Sequence, residues 1–252
     1  MKIAFRSIAV IFALYLLCFN AYSKENLIFA TFPIPLMVKN EESGLFVELT
    51  KAIAARANLN IEIKVLPPKR AIYYFLEQKV DALFPGLDFS FPQDAQYLKS
   101  KELIYIKQDF AFSLKSKPLI NSFNDLIKYK IGITRGYPYS RELIENEQFN
   151  LSIAESDESN IKKLVNGRID AFVVEEFSGI QAFSQTGYEH LIQYNPHAPL
   201  SSQDVFYAFQ LTIKGKKLSE KISKVLKAMK DDGSYQKIMN RVNNTKNLKP
   251  AD

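Results

Sequence analysis

The chain has 252 residues, of which 47% are hydrophobic and 24% charged, and its formal net charge is +6. This composition is typical of a globular protein and excludes a disordered or collagen-like chain. The length fits one large domain or two modest ones. The basic residues are dispersed among acids, which indicates a solvated surface and not a nucleic-acid site, so we expect no nucleic-acid partner.

Residues 1–23 have the three-part pattern of a secretory signal peptide. Lys2 and Arg6 precede an apolar run from Ile8 to Phe19, and small residues at Ala21 and Ser23 predict a cut after Ser23. The run is shorter than the ~20 residues of a membrane span. An uncleaved anchor, or a lipid on the single cysteine in this run, are the alternatives. We therefore expect a periplasmic protein whose mature chain has no cysteine and no disulfide.

Short apolar strands alternate with helical patterns through the first half of the chain. Strands are predicted at 27–30, 61–66 and 82–84. A stripe of apolar residues at Leu45, Leu49, Ile53 and Ala57 predicts one helix, and a second is predicted over 70–78. This alternation predicts an α/β fold with a parallel sheet and helices on its faces.

The second half repeats the same pattern. Strands are predicted at 110–114, 131–133, near 153 and at 171–174, with helices over 140–147, 158–165, 218–229 and 235–242. Segment 77–84 matches segment 166–173, and each contains Asp-Ala at a strand start. The long separation between Asp81 and Asp170 in the sequence predicts two similar α/β lobes, in which both aspartates are structural.

Ligands of open parallel sheets bind beyond the carboxyl ends of the strands. This rule selects two loops from each lobe, at 31–33, 85–88, 134–137 and 175–176, which would face each other across a cleft. The candidate ligand-binding residues in these loops are Phe32, Gly86, Leu87, Arg135, Gly136, Tyr137 and Glu175.

An ordered set of stretches resembles the extracellular solute-binding proteins of family 3, the periplasmic receptors of ABC importers. The matching stretches lie at 44–54, 68–71, 79–82, 92–97, 166–171 and 232–238. The resemblance implies a two-lobed periplasmic-binding-protein-like clamshell of type II, with lobes joined by crossing strands near 111–115 and 202–206. Lobe 1 would comprise 24–113 and 204–252, and lobe 2 would comprise 114–203.

The resemblance also implies roles for single residues. Phe32 lies where the family often has an aromatic residue over the ligand, and Glu175 lies where it usually has an aspartate for the ligand's amino group. Arg135 and Gly136 precede an expected helix start, where an anion could bind. The alternatives are a core aromatic for Phe32, a solvated loop acid for Glu175 and a surface arginine for Arg135.

One expected residue is missing. Amino-acid binders of this family clamp the ligand's α-carboxylate with an arginine, but this segment reads Gln93-Asp94 and neither residue is basic. An ordinary α-amino acid is therefore doubtful as the ligand unless another cation substitutes. Arg70, which borders the cleft, is the leading substitute; its alternative role is a local salt bridge.

These observations predict a monomeric, non-enzymatic receptor for a small polar solute, with no cofactor or metal. An ABC permease is the partner that the resemblance implies. Two other hypotheses stay open: a cyclohexadienyl-dehydratase-like enzyme on the same fold, and a periplasmic sensor module. The sequence shows no nucleophile–base pair, phosphate loop or cysteine cluster to favour the enzyme.

Overall fold

The computed structural model describes residues 25–241. The predicted signal peptide with its cleavage site, the single cysteine and the end of the chain lie outside this range. The strands are β1 Asn26–Thr31, β2 Asn60–Val65, β3 Ala82–Gly86, β4 Leu98–Lys99, β5 Tyr105–Leu114, β6 Lys130–Thr134, β7 Asn150–Ala154, β8 Ala171–Glu175, β9 Ile192–Gln193 and β10 Ser201–Phe209. The helices are α1 Leu45–Arg56, α2 Pro68–Leu76, α3 Phe123–Leu126, α4 Arg141–Glu145, α5 Asp157–Val165, α6 Glu176–Thr186, α7 Ile213–Asp231 and α8 Ser234–Met239.

The sheet has two parallel halves joined in the middle by antiparallel strands. Its strand order is β2-β1-β3-β10-β5-β8-β6-β7. Strands β2, β1 and β3 are parallel to one another, and so are β8, β6 and β7. Strands β10 and β5 run antiparallel to both neighbours. The predicted α/β fold with a parallel sheet in each half is confirmed.

Strands β5 and β10 are each shared by the two halves. Strand β10 pairs with β5 over Ser201–Val205 and with β3 from Phe206 onward. Strand β5 pairs with β10 over its first five residues and changes to β8 at Asp109, ahead of the stretch 111–115 expected for this crossing. The described part of the chain therefore has the two-lobed architecture with two crossing strands. The exact boundaries of the lobes stay a prediction.

The repeated Asp-Ala motif has one structural role in both halves. Asp81 Oδ2 accepts a hydrogen bond from the Ile28 backbone N–H at 2.8 Å, and Asp170 Oδ2 accepts one from Lys130 N–H at 3.0 Å. Each aspartate thus fastens its own strand to the neighbouring parallel strand. The prediction that these two residues are structural is confirmed.

Apolar side chains cover both faces of the first half of the sheet. Phe29 and Tyr207 pack under α1 and α7 on one face, and Leu83 packs against Phe75 of α2 on the other. Two further clusters fill the second half. Within residues 25–241, none of the helices combines the length and apolar character needed to span a bilayer.

Candidate functional site

The carboxyl ends of the parallel strands carry the predicted site residues. Gly86 is the last residue of β3 and Glu175 the last of β8. Phe32 follows β1, and Arg135 follows β6. The candidates therefore occupy the strand ends at which open parallel sheets bind their ligands.

In the first half, the candidate residues differ in exposure. Phe32 is half-buried against the cluster around Phe75. Gly86 lies opposite Phe206, where an added Cβ would come within 2.7 Å of the phenyl ring, so close packing requires glycine. Leu87 is buried in the hydrophobic core. Phe32 alone of these three presents a partly exposed side chain.

The loop after β6 does not have the anion-binding arrangement that is expected for Arg135 and Gly136. Arg135 is exposed and its Nε donates to Glu155 at 2.7 Å, an ion pair of a kind that contributes at most about 1 kcal/mol. Gly136 has φ +79, the left-handed conformation that favours glycine. The helix predicted over 140–147 is α4, which begins at Arg141 behind the Ser140 cap, so Arg135 and Gly136 precede this helix without lying in its first turn.

Two further arginines, Arg70 and Arg141, are exposed at the starts of α2 and α4. Arg70 lies in the first turn of α2 and is exposed, and within residues 25–241 its guanidinium has no hydrogen bond or ion pair. Arg141, which the sequence analysis did not select, lies next to Gln93. With the Gln93 amide turned so that its oxygen faces the guanidinium, Arg141 Nη2 donates to it at 2.8 Å. Arg141 therefore links the two halves where the family's clamping arginine is absent.

Glu175 is buried, and each of its carboxylate oxygens accepts a hydrogen bond from the protein. It is the N-cap of α6, and its Oε2 accepts from Ser178 N–H at 2.9 Å. Its Oε1 accepts from the Tyr105 hydroxyl at 2.9 Å. Burial raises the pKa of the Glu175 carboxyl, while these donors and nearby Lys107 oppose that rise. The alternative of a solvated loop acid is wrong because this side chain is only 9% exposed.

Next to Glu175, β5 and β10 place polar side chains on one face of the sheet. Lys107 forms a buried ion pair with Asp109 on the same strand. Asp109 lies opposite Glu175 in the register and also accepts from Ser201 Oγ at 2.8 Å. Gln203 lies opposite Lys107, and its Nε2 donates to the Pro138 carbonyl at 2.9 Å. This arrangement connects both crossing strands to the loop after β6.

Asp157, at the start of α5, extends this set of polar side chains toward the loop after β6. It accepts hydrogen bonds from Thr134 Oγ1 and, at 3.0 Å, from the Tyr137 hydroxyl. Burial raises the pKa of Asp157, and burial with the nearby carboxylates raises the pKa of Tyr137. The Tyr139 ring lies 5.9 Å from Lys107 Nζ. We call Lys107, Asp109, Asp157, Glu175 and Gln203 the crossing-strand cluster.

Of this cluster, only Glu175 is among the site residues predicted from the sequence. Lys107 and Asp109 precede the strand that was predicted at 110–114, and Asp157 precedes the helix predicted over 158–165. The available signal was the alternation of Tyr105, Lys107 and Asp109, which places all three on one face of an extended strand. In the described chain, no group of three or more His, Cys, Asp and Glu side chains is arranged to hold a metal ion.

Two lobes joined by crossing strands, with the candidate site at the facing strand ends, define a periplasmic-binding-protein-like molecule. The sequence matches the bacterial extracellular solute-binding proteins, family 3, over residues 30–245. The chain belongs to this family.

Known relatives agree with this assignment. The arginine-binding periplasmic protein of Mannheimia haemolytica is 25% identical over 208 residues, which cover 81% of this chain and 83% of that protein. A histidine kinase sensor domain with similarity to periplasmic binding proteins superimposes with a TM-score of 0.68 at 18% identity, covering 86% of this chain and 95% of that one. The substrate binding protein of an amino acid ABC transporter superimposes with a TM-score of 0.63 at 20% identity. The superposition covers 86% of this chain and 98% of that one. At these identities, the two structures show a shared fold.

Proposed function

We propose that this protein is a periplasmic receptor that binds a small polar solute in the interlobe cleft, performs no reaction on it and delivers it to an ABC importer. The observation that carries this proposal is the position of Glu175. A buried carboxylate lies at the carboxyl end of β8, opposite Asp109 on β5, the residue at which β5 also pairs with β10. An acid at such a strand end is suited to bind the ammonium group of a solute by a charge-assisted hydrogen bond.

Aromatic side chains complete a site for an ammonium group. Tyr105 bonds to Glu175, and the ring of Phe177 lies 5.7 Å from that of Tyr105. We propose that Phe32 and Tyr137, in the loops after β1 and β6, add two further rings to this site. Rings of this kind attract a cation through their faces. The named function of the arginine-binding relative agrees with an amino-bearing solute.

The crossing strands support the proposed mechanism. Hinge closure in two-lobed binding proteins is absorbed by a few residues between rigid halves. Here β5 changes partners at Asp109 and β10 changes partners after Val205, next to the crossing-strand cluster. A solute that contacts both halves would stabilise the closed form, which a permease then recognises. We propose that the receptor acts as a monomer after removal of residues 1–23.

A thermal-shift screen tests the proposal. Amino acids, amines and small acids are added to the purified protein, and a true ligand at about 100 times its Kd should raise the Tm by roughly 5–10 °C. Glu175→Gln keeps an oxygen for the helix cap and removes the charge, so it should lose most of the shift. Glu155→Gln, an exposed acid paired with Arg135, is the matched control and should keep it. An absence of any shift across the panel contradicts the proposed function.

A further inference from the structure

All charged side chains that are buried within residues 25–241 belong to one cluster. They are Lys107, Asp109, Asp157 and Glu175, three acids and one base. Lys107 and Asp109 form an ion pair. Among the described residues, Glu175 and Asp157 have hydroxyl and N–H donors but no cation within ion-pair distance. In this part of the chain neither carboxylate therefore has an ion-pair partner of its own, since the nearby Lys107 is already paired with Asp109.

A second observation points to a missing donor at the same place. Gln203 is only 6% exposed, and its Oε1 has no hydrogen-bond partner in the structure. Its Nε2 is held between Asp109 and the Pro138 carbonyl, next to Tyr137. An amide oxygen can only accept hydrogen bonds. A bound group that satisfies Gln203 must therefore carry N–H or O–H donors.

The arginines near the cleft do not supply the missing charge to this cluster. Arg135 is exposed and paired with Glu155. Arg141 contacts Gln93 and lies 3.9 Å from Glu145, also at the surface. Arg70 is exposed on α2. The buried part of the site therefore carries more acid than base, since its one cation, Lys107, is paired with Asp109 and the arginines are exposed.

From this arrangement we infer that the solute is a small organic cation that has no carboxylate. It is either a diamine or an amine that also carries a guanidinium group, and its positive groups lie against Glu175 and Asp157. The inference rests on the proposed function and narrows its ligand class. A cation supplies the charge that the two acids lack and N–H donors for Gln203. A ligand carboxylate placed in the same space would face like charge, which costs several kcal/mol.

Matched ligand pairs test this inference by calorimetric titration of the purified protein at neutral pH. Agmatine is compared with arginine and cadaverine with lysine, since the members of each pair differ only by the carboxylate; glutamate serves as the anionic probe. We expect each amine to bind about tenfold or more tightly than its amino acid. Glu175→Gln and Asp157→Asn should each weaken the amines, and glutamate should not bind.

Other results separate the two proposals. If arginine or lysine binds more tightly than its amine, and Arg70→Ala removes that advantage, Arg70 clamps a carboxylate and the inference is wrong while the receptor function stands. Binding of glutamate in place of the amines contradicts the inference in the same way. If no probe of the solute panel binds, the proposed function fails as well. The comparison within each pair uses the unmodified protein, so it does not depend on how the variants fold.

Discussion

Glu175 has a structural and a proposed functional role in one side chain. As the N-cap of α6 it satisfies the Ser178 N–H, and it accepts the Tyr105 hydroxyl with its second oxygen. Burial makes its ionised form costly, which raises the pKa of its carboxyl. A solute ammonium would offset that cost. The residue is therefore held in place by the fold before any solute arrives, which reduces the ordering cost of binding.

The raised pKa of Glu175 predicts a specific pH dependence of stability. Between its ordinary pKa of 4.5 and its raised value, the folded chain keeps a proton that the unfolded chain has lost. The free energy of unfolding must then fall as the pH rises through this window. The Glu175→Gln variant lacks this titrating carboxyl, so its free energy of unfolding should fall less than that of the unmodified protein over the same pH range.

Urea denaturation of both proteins at a series of pH values from about 4 to 8 measures this difference. Asp157 titrates in the same direction in both proteins and cancels from the comparison. Parallel stability curves for the two proteins would show that burial does not raise the pKa of Glu175.

At the scale of secondary-structure elements, β5 has an inverted pattern. Lys107 and Asp109 point into the protein and are buried, whereas Ile106, which precedes Lys107, is 49% exposed. A strand with one buried face normally places its apolar residues inward. The inversion follows from the position of β5 between the two halves, where its inner face borders the proposed solute site.

The ion pair within β5 should matter far more than an exposed one. Lys107→Met leaves the Asp109 carboxylate buried without its cation, so we expect a loss of about 3–5 kcal/mol in the free energy of unfolding. Lys227→Met breaks the exposed pair with Asp231 on α7 and should cost less than about 1 kcal/mol.

Urea unfolding of the two lysine variants gives both values. Similar losses in both would show that the Lys107–Asp109 pair is solvated and would remove the basis for an acidic, desolvated site.

The same elements show how far the sequence predicts this molecule. The repeated Asp-Ala motif and its following strands were predictable, because Asp81 and Asp170 mark a local turn-to-strand junction that occurs twice. The start of α6 directly after β8 was not predicted, because a glutamate at this position, Glu175, is equally typical of a loop. The role of Lys107 could not be predicted either, because its neighbours on β8, β10 and the loop after β6 are remote in sequence.

At the scale of the whole molecule, the two halves meet along their shared strands and through individual side-chain contacts. Tyr105 of β5 contacts both Phe46 of α1 and Phe177 of α6. Arg141 of the second half donates a hydrogen bond to the turned Gln93 amide of the first half. The full sequence has a net charge of +6, whereas the buried cluster contains three acids and one base. The overall charge therefore gives no guide to the solute, and the local charges at the crossing strands do.

Native mass spectrometry with a solute identified in the thermal-shift screen tests the central claim most directly. We predict one solute per chain, retained by Glu155→Gln and lost by Glu175→Gln, and a solute whose mass is unchanged after release. A product of different mass would show an enzyme on this fold, and equal retention by both variants would show that the solute binds away from Glu175. Either result would contradict a receptor that holds its solute at the crossing strands.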